Sequence, residues 1–231
     1  MINKYQRLFK KDQEDGFFWP SFTDLLTTIL LCFILVFISM MIIKSYQIEE
    51  MKKTIDQIMG VRVELVNDLK AEFKDSPLGI EVDEQTGAII FDTDILFDYD
   101  DDQLKLESNQ YLNEFMPKYI DILLKSGYED YIAEIIIEGH TDRDNGYLYN
   151  LKLSQDRAYS VASYILGSGF PHKDLQPILQ EKLTVNGKSF TDGRYDENGE
   201  YDAAASRRVE FKFRLKDEEI LEKTREILEG K

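Results

Sequence analysis

The 231 residues carry 44 acidic side chains against 28 lysines and arginines, a formal charge of −16, and are 43% hydrophobic. No basic, extended stretch is present to displace counterions from a polyanion, which excludes nucleic acid as a partner. The one cysteine, Cys32, rules out an internal disulfide, so any folded domain here must be held by its core.

Residues 1–16 are polar and read as a cytoplasmic tail. The segment 17–45 reads as a transmembrane helix: residues 25–43 are 19 consecutive uncharged residues, about 29 Å as a helix, against a hydrocarbon core of ~30 Å. A cleaved signal peptide has a shorter apolar stretch ending in small residues; this run leads instead into Met40, Met41, Ile42, Ile43 and Lys44. Trp19 and Pro20 suit an interfacial entry and a first helical turn. Lysines and arginines on the two sides nearly balance, so orientation rests on size: short tail inside, large domain outside the inner membrane.

Within this segment stands one carboxylate, Asp24. Ionised at bilayer depth it costs about 2.5–3.5 kcal/mol on insertion scales. It either sits at the headgroup level, capping the helix, or is sheltered by partner helices. Eight uncharged residues, 16–23, precede it, and the hydroxyls of Ser21, Thr23, Thr27 and Thr28 cluster around it, as ligands of an ion or a water would. A lone span cannot shield such a group, so the second reading requires a partner.

Residues 46–76 read as a helical stalk or plug. Ile48, Met51, Ile55, Ile58, Leu65 and Leu69 fall at heptad spacing, interrupted by Arg62. The stripe suits pairing with a second copy; the same stripe also suits an amphipathic helix lying on its own domain or on the membrane.

Residues 77–216 read as one α/β domain. A hairpin is expected around Thr86-Gly87, helices over 108–125 and 151–166, strands over 132–137 and 208–215, and a long polar loop over 184–205. This order gives a mixed α/β sandwich with helices on one face. A charged helix is expected over 217–231.

Two groups of motifs carry resemblances. Trp19-Pro20-Ser21-Phe22-Thr23-Asp24-Leu25-Leu26-Thr27 resembles the span entry of B subunits of MotA/MotB-type ion-driven motors. Gly139-His140-Thr141-Asp142, then Asn150 to Ala158, then Ser206-Arg207-Arg208-Val209-Glu210 resemble, in order, the core of OmpA-like domains. The first resemblance implies that Asp24 carries protons or sodium ions, with Ser21, Thr23 and Thr27 nearby, in a complex of five multi-span A subunits around a homodimer of B subunits. The second implies binding of the diaminopimelate stem peptide of peptidoglycan by Asp142 and Arg157, supported by Thr141, Asn150 and Arg208. The chemistry suits that ligand: an acid meets its ammonium, and an arginine grips a carboxylate with two parallel hydrogen bonds. An internal Asp142–Arg157 salt bridge is the alternative. Residues 147–154, 185–190 and 205–210, with the insertion at 192–204, lean toward B subunits of Zorya-type anti-phage systems. A flagellar-type subunit and a passive membrane-to-wall tether remain alternatives.

His140 suggests metal, but zinc sites take three or four ligands, and His172 is the only other histidine, in a turn, so no metal or other cofactor is expected. The acids of 192–202 lack calcium-loop spacing, and Asp98 and Asp100–Asp102 read as preceding and capping a helix. No serine or cysteine nucleophile stands with a base, so no enzyme is expected.

Overall fold

The computed structural model describes residues 18–74, 80–83 and 85–216, with side chains from Phe22 onward. The 1–16 tail, the Ser21 side chain, the stalk's end at Ser76-Pro77 and the 217–231 helix lie outside the described residues. The chain divides into two compact units, Met1–Thr54 and Ile55–Lys231.

In the first unit the chain is helical from Phe18, and this helix, α1, runs to Phe73 in the second unit. No break separates span from stalk, because residues 21–73 contain no proline and only Gly60 as a glycine. The large apolar residues from Phe22 to Ile43 are each between 46% and 67% exposed. Such a continuous bare apolar surface does not belong in water, and the segment is long and apolar enough to cross a membrane.

The second unit is built on a five-stranded sheet of order β1-β2-β7-β3-β4: β1 Ile80–Val82, β2 Ile89–Asp92, β3 Ile132–Gly139, β4 Leu183–Gly187, β7 Arg208–Leu215. All pairings are antiparallel except β3 with β4. Strand β7 shows why the sheet is two-faced. Val209, Phe211, Phe213 and Leu215 point to the core, and Arg208, Glu210, Lys212 and Arg214 to the other side. On the apolar face lie α3 (Ser108–Leu123) and α4 (Tyr147–Leu166). Phe115 of α3 is the hub, with ring centres 5.0 Å from Phe91, 4.8 Å from Phe211 and 5.3 Å from Phe73.

Phe73 belongs to α1, and Ile58, Val66, Leu65 and Leu69 join the same core. From Ile58 onward, therefore, the stripe expected to pair with a second copy is taken by the chain's own domain. Lys125 and Tyr128 add hydrogen bonds to Asp68, at 3.0 and 3.2 Å. The upper stripe, Ile48 and Met51, stays exposed.

The polar stretch 184–205 is not one long loop. Its start is β4, an edge strand that pairs in parallel after the α4 and α5 (Gln176–Lys182) crossover. Its end is a short hairpin of β5 (Arg194–Tyr195) and β6 (Tyr201–Asp202), followed by α6 (Ala203–Ser206). Asp196 makes the turn by accepting from the N–H groups of Asn198 and Glu200, both at 2.9 Å. The Asp98–Asp102 acids cap no long helix either: they form a turn between α2 (Thr93–Leu96) and α3, where Asp101 accepts from the amides of Asp102 and Gln103.

Candidate functional site

The site begins where β3 ends. Gly139 lies against α4 so closely that a Cβ there would sit 2.1 Å from the Ser154 carbonyl oxygen, and one at Gly187 would sit 2.6 Å from the Gln155 nitrogen. Only glycines let helix and strands meet at this distance. The contact sets the gap between Asp142, three residues past Gly139, and Arg157, on the next turn of α4 after Ser154.

Helix α4 starts at Tyr147, four residues earlier than the sequence suggests. Arg157 therefore stands about three turns in, where a start at residue 151 would place it within the first two. Asn150 closes the loop before the helix, donating to the carbonyls of Asp142 at 3.2 Å and Asn145 at 2.9 Å. The Thr141 amide donates to the Ser189 carbonyl at 2.9 Å, and its buried hydroxyl has no partner among the described residues.

Asp142 and Arg157 do not pair with each other. Arg157 is 2% exposed, lies over the Phe97 ring, and donates from Nε to the Asp101 carbonyl at 2.8 Å and from Nη2 to the Asp98 carbonyl at 3.4 Å. Burial lowers its pKa, opposed by the charges of Asp100 and Asp142. Asp142 instead receives Arg207 Nη1 at 2.8 Å on Oδ2 and the Asp144 amide at 3.2 Å on Oδ1. This hydrogen bond raises the pKa of Arg207. A carboxylate offers about four lone-pair positions, so Asp142 retains acceptor capacity for an external ammonium. Tyr99 and Tyr149 rim the site, their hydroxyls donating to Asp144 at 3.2 Å and to Asp100 at 2.9 Å.

Arg208, the first residue of β7, faces the other way from Arg207, which precedes the strand at the end of α6. It pairs with Glu210 and donates to the carbonyls of Ser206 at 3.3 Å and Asp192 at 3.1 Å. It thereby fastens the 192–206 segment over the sheet's charged face. Lys212 there pairs with both Glu138 and Glu210, and His140 Nε2 faces the same two carboxylates at 3.3 and 3.8 Å. Burial pushes the Glu138 carboxyl up, but the adjacent His140 ring and the hydrogen-bonded Lys212 ammonium outweigh it and hold the pKa at about 2. Glu138, His140 and Glu210 have the spacing of metal ligands. The Lys212 ammonium, however, already supplies the positive charge between them, so the cluster reads as an internal ion-pair network.

In the span, the Thr27 hydroxyl donates to the carbonyls of Thr23 and Asp24, both at 2.9 Å, and Thr28 to that of Asp24 at 2.8 Å. Their protons are engaged by the helix itself, and Thr27 and Thr28, three and four residues on, share a helix face with Asp24. Sequence reasoning singled out Asp142, Arg157 and Asn150 but missed Arg207. The signal was the double arginine, whose second member opens β7 and whose first stands just before it.

A membrane-length helix joined to this glycine-gauged strand–helix site defines a membrane-anchored protein with an OmpA-type domain, and residues 96–207 match the OmpA family model. Over 221 residues the chain is 30% identical to Zorya protein ZorB of Escherichia coli strain Crooks, covering 90% of this chain and 91% of that one. A second Zorya protein ZorB, from Escherichia coli O139:H28, is 28% identical over 90% of this chain and 85% of its own. The chain belongs to the ZorB family. Among solved structures, the periplasmic domain of Helicobacter pylori MotB is 20% identical, covering 65% of this chain and 97% of that one, with a TM-score of 0.44.

Proposed function

We propose that the chain is the B, or stator-type, subunit of a proton- or sodium-driven membrane motor, anchored to peptidoglycan through Asp142 and Arg157 and working in anti-phage defence. Family membership supports the class. The observation that carries the ion-driven reading is Asp24, the one carboxylate in the run 16–43, which holds no lysine, arginine or histidine. A carboxylate there is tolerated when other helices enclose it, and once enclosed it can take up and release a cation. The partner is then a pentameric ring of multi-span A subunits around two copies of this chain, with the N-terminus cytoplasmic and the domain periplasmic. Cation flow past Asp24 turns that ring against a stem held by the wall. A flagellar-type stator and a passive tether are the competing readings.

Asp24→Asn keeps size and polarity and removes the titrating charge. In cells carrying the partner subunit, it is expected to leave membrane assembly intact and to abolish phage protection. Protection at the unsubstituted level would reduce the chain to a tether. A requirement in swimming, with none in protection, would move it to the flagellar class.

A further inference from the structure

The 192–204 insertion holds one side chain that the reading above does not use. Arg143 follows Asp142 directly, and its guanidinium carbon lies 4.2 Å from the ring centre of Tyr201 and 5.9 Å from that of Tyr195. Nη2 donates to the Tyr195 hydroxyl at 2.9 Å, and the two rings meet edge to face at 5.9 Å. The hairpin that supplies both rings is fixed at its foot. The Arg194 amide donates to Ser206 Oγ at 2.9 Å, and Asp202 caps α6 through the Ala205 amide at 3.0 Å. Gly193 packs so near Tyr201 that a Cβ would lie 2.7 Å from its ring.

Arg143 is exposed, and among the described residues no carboxylate lies within ion-pairing distance of it. In a chain with 16 excess negative charges, an unpaired arginine held in place by two rings is unusual. Its face is committed to the tyrosines, which costs it little, because a guanidinium is weakly hydrated and stacks well. Its remaining N–H edge is left as a fixed fork, the geometry that grips a carboxylate. The position is also set with respect to Asp142. The holder of Arg143, Tyr201, and the holder of Asp142, Arg207, are six residues apart on one short segment joined by α6.

We infer that Arg143, clasped by Tyr195 and Tyr201, is a second anion-binding position of the wall-ligand site, taking a stem-peptide carboxylate next to the one held by Arg157. This rests on the peptidoglycan-binding reading and adds a preference to it: stems whose neighbouring carboxyl is free are favoured over amidated stems.

The test is calorimetric titration of the full chain in detergent with three probes: meso-diaminopimelate, γ-D-glutamyl-meso-diaminopimelate, and that dipeptide with its glutamyl α-carboxyl amidated. The unsubstituted chain is expected to bind the free-acid dipeptide about tenfold more tightly than the amide. Arg143→Gln is expected to erase that ratio, as is Tyr195→Ala, and Arg143→Lys is expected not to restore it, since an ammonium offers no planar fork. A ratio that survives Arg143→Gln overturns the inference, as does a loss of affinity that is equal for acid and amide. Binding of diaminopimelate with no acid–amide preference in the unsubstituted chain also overturns it and leaves wall binding standing. Failure to bind any probe removes both.

Discussion

Arg207 donates to Asp142 at 2.8 Å, while Arg157 donates from Nε and Nη2 to backbone carbonyls. The acid and the base of the site are thus held apart by separate partners instead of neutralising each other. Arg207→Met is expected to leave Asp142 uncompensated in a pocket where it is 6% exposed. The expected cost is about 1–3 kcal/mol of unfolding free energy, read by denaturant titration. A double-mutant cycle with Asp142→Asn should recover most of it.

Arg157 has a structural task beside its proposed one. Arg157→Ala would strip the Asp98 and Asp101 carbonyls of a donor and empty the space over Phe97. It should destabilise the domain by about 2–4 kcal/mol, so lost wall binding in that variant would be ambiguous. Arg157→Lys keeps much of the stem. We expect it to melt within a few degrees of the unsubstituted protein and still fail to sediment with isolated peptidoglycan.

The charged face should make the domain acid-sensitive. Glu138 has a folded pKa near 2 against an ordinary 4.5, and Glu210 is also lowered, burial opposed mainly by Arg208. Between those values the unfolded chain binds more protons than the folded one. Stability is then full above about pH 4.5 and falls as the pH drops toward 2, by up to about 3 kcal/mol for Glu138. Unfolding followed by circular dichroism across that window should show the slope, and Glu138→Gln should flatten it. A slope unchanged in that variant would place the acid sensitivity elsewhere.

Tyr119 is fully buried among Phe115 and Phe211, and its hydroxyl has no partner among the described residues. Burial raises its pKa above the ordinary range, so it stays neutral. Tyr119→Phe removes an unsatisfied polar atom without changing the ring. It should raise stability by about 1 kcal/mol or leave it unchanged; a clear loss would mean that the hydroxyl has a partner.

Gly139→Ala should be among the worst single changes in the domain. Its Cβ would meet the Ser154 carbonyl oxygen at 2.1 Å, and relief requires moving α4 off the sheet. About 3 kcal/mol or more is expected, together with weaker wall binding, because the same shift separates Arg157 from Asp142.

The parts legible in the sequence are those with a repeating pattern. Strand β7 alternates cleanly, and α3 shows a helical stripe of Leu112, Phe115, Met116, Tyr119 and Leu123. Strand β4 was not legible because it is an edge strand, half-buried along most of its length, and has no apolar run. The β5–β6 hairpin has two-residue strands, too short for any period. The start of α4 was hidden because Tyr147, Leu148 and Tyr149 are exposed, so no inward face marks its first turn. The stalk stripe was visible, but heptad spacing cannot distinguish a second copy from the chain's own sheet, since both bury the same positions. At the site, Asp142 and Arg157 stood out by motif, whereas Arg207 and Arg143 depend on partners more than 50 residues away in sequence.

Leu65, Leu69 and Phe73 come from the helix before the sheet, yet they are as hidden as anything in it. A polypeptide begun at residue 77 would possess every strand and still present Phe115 with a vacancy where an aromatic neighbour should be. Anyone cutting this protein for crystallisation or wall-binding assays should start near residue 55, since the boundary is set by which side chains share an interior and not by where a proline interrupts the chain.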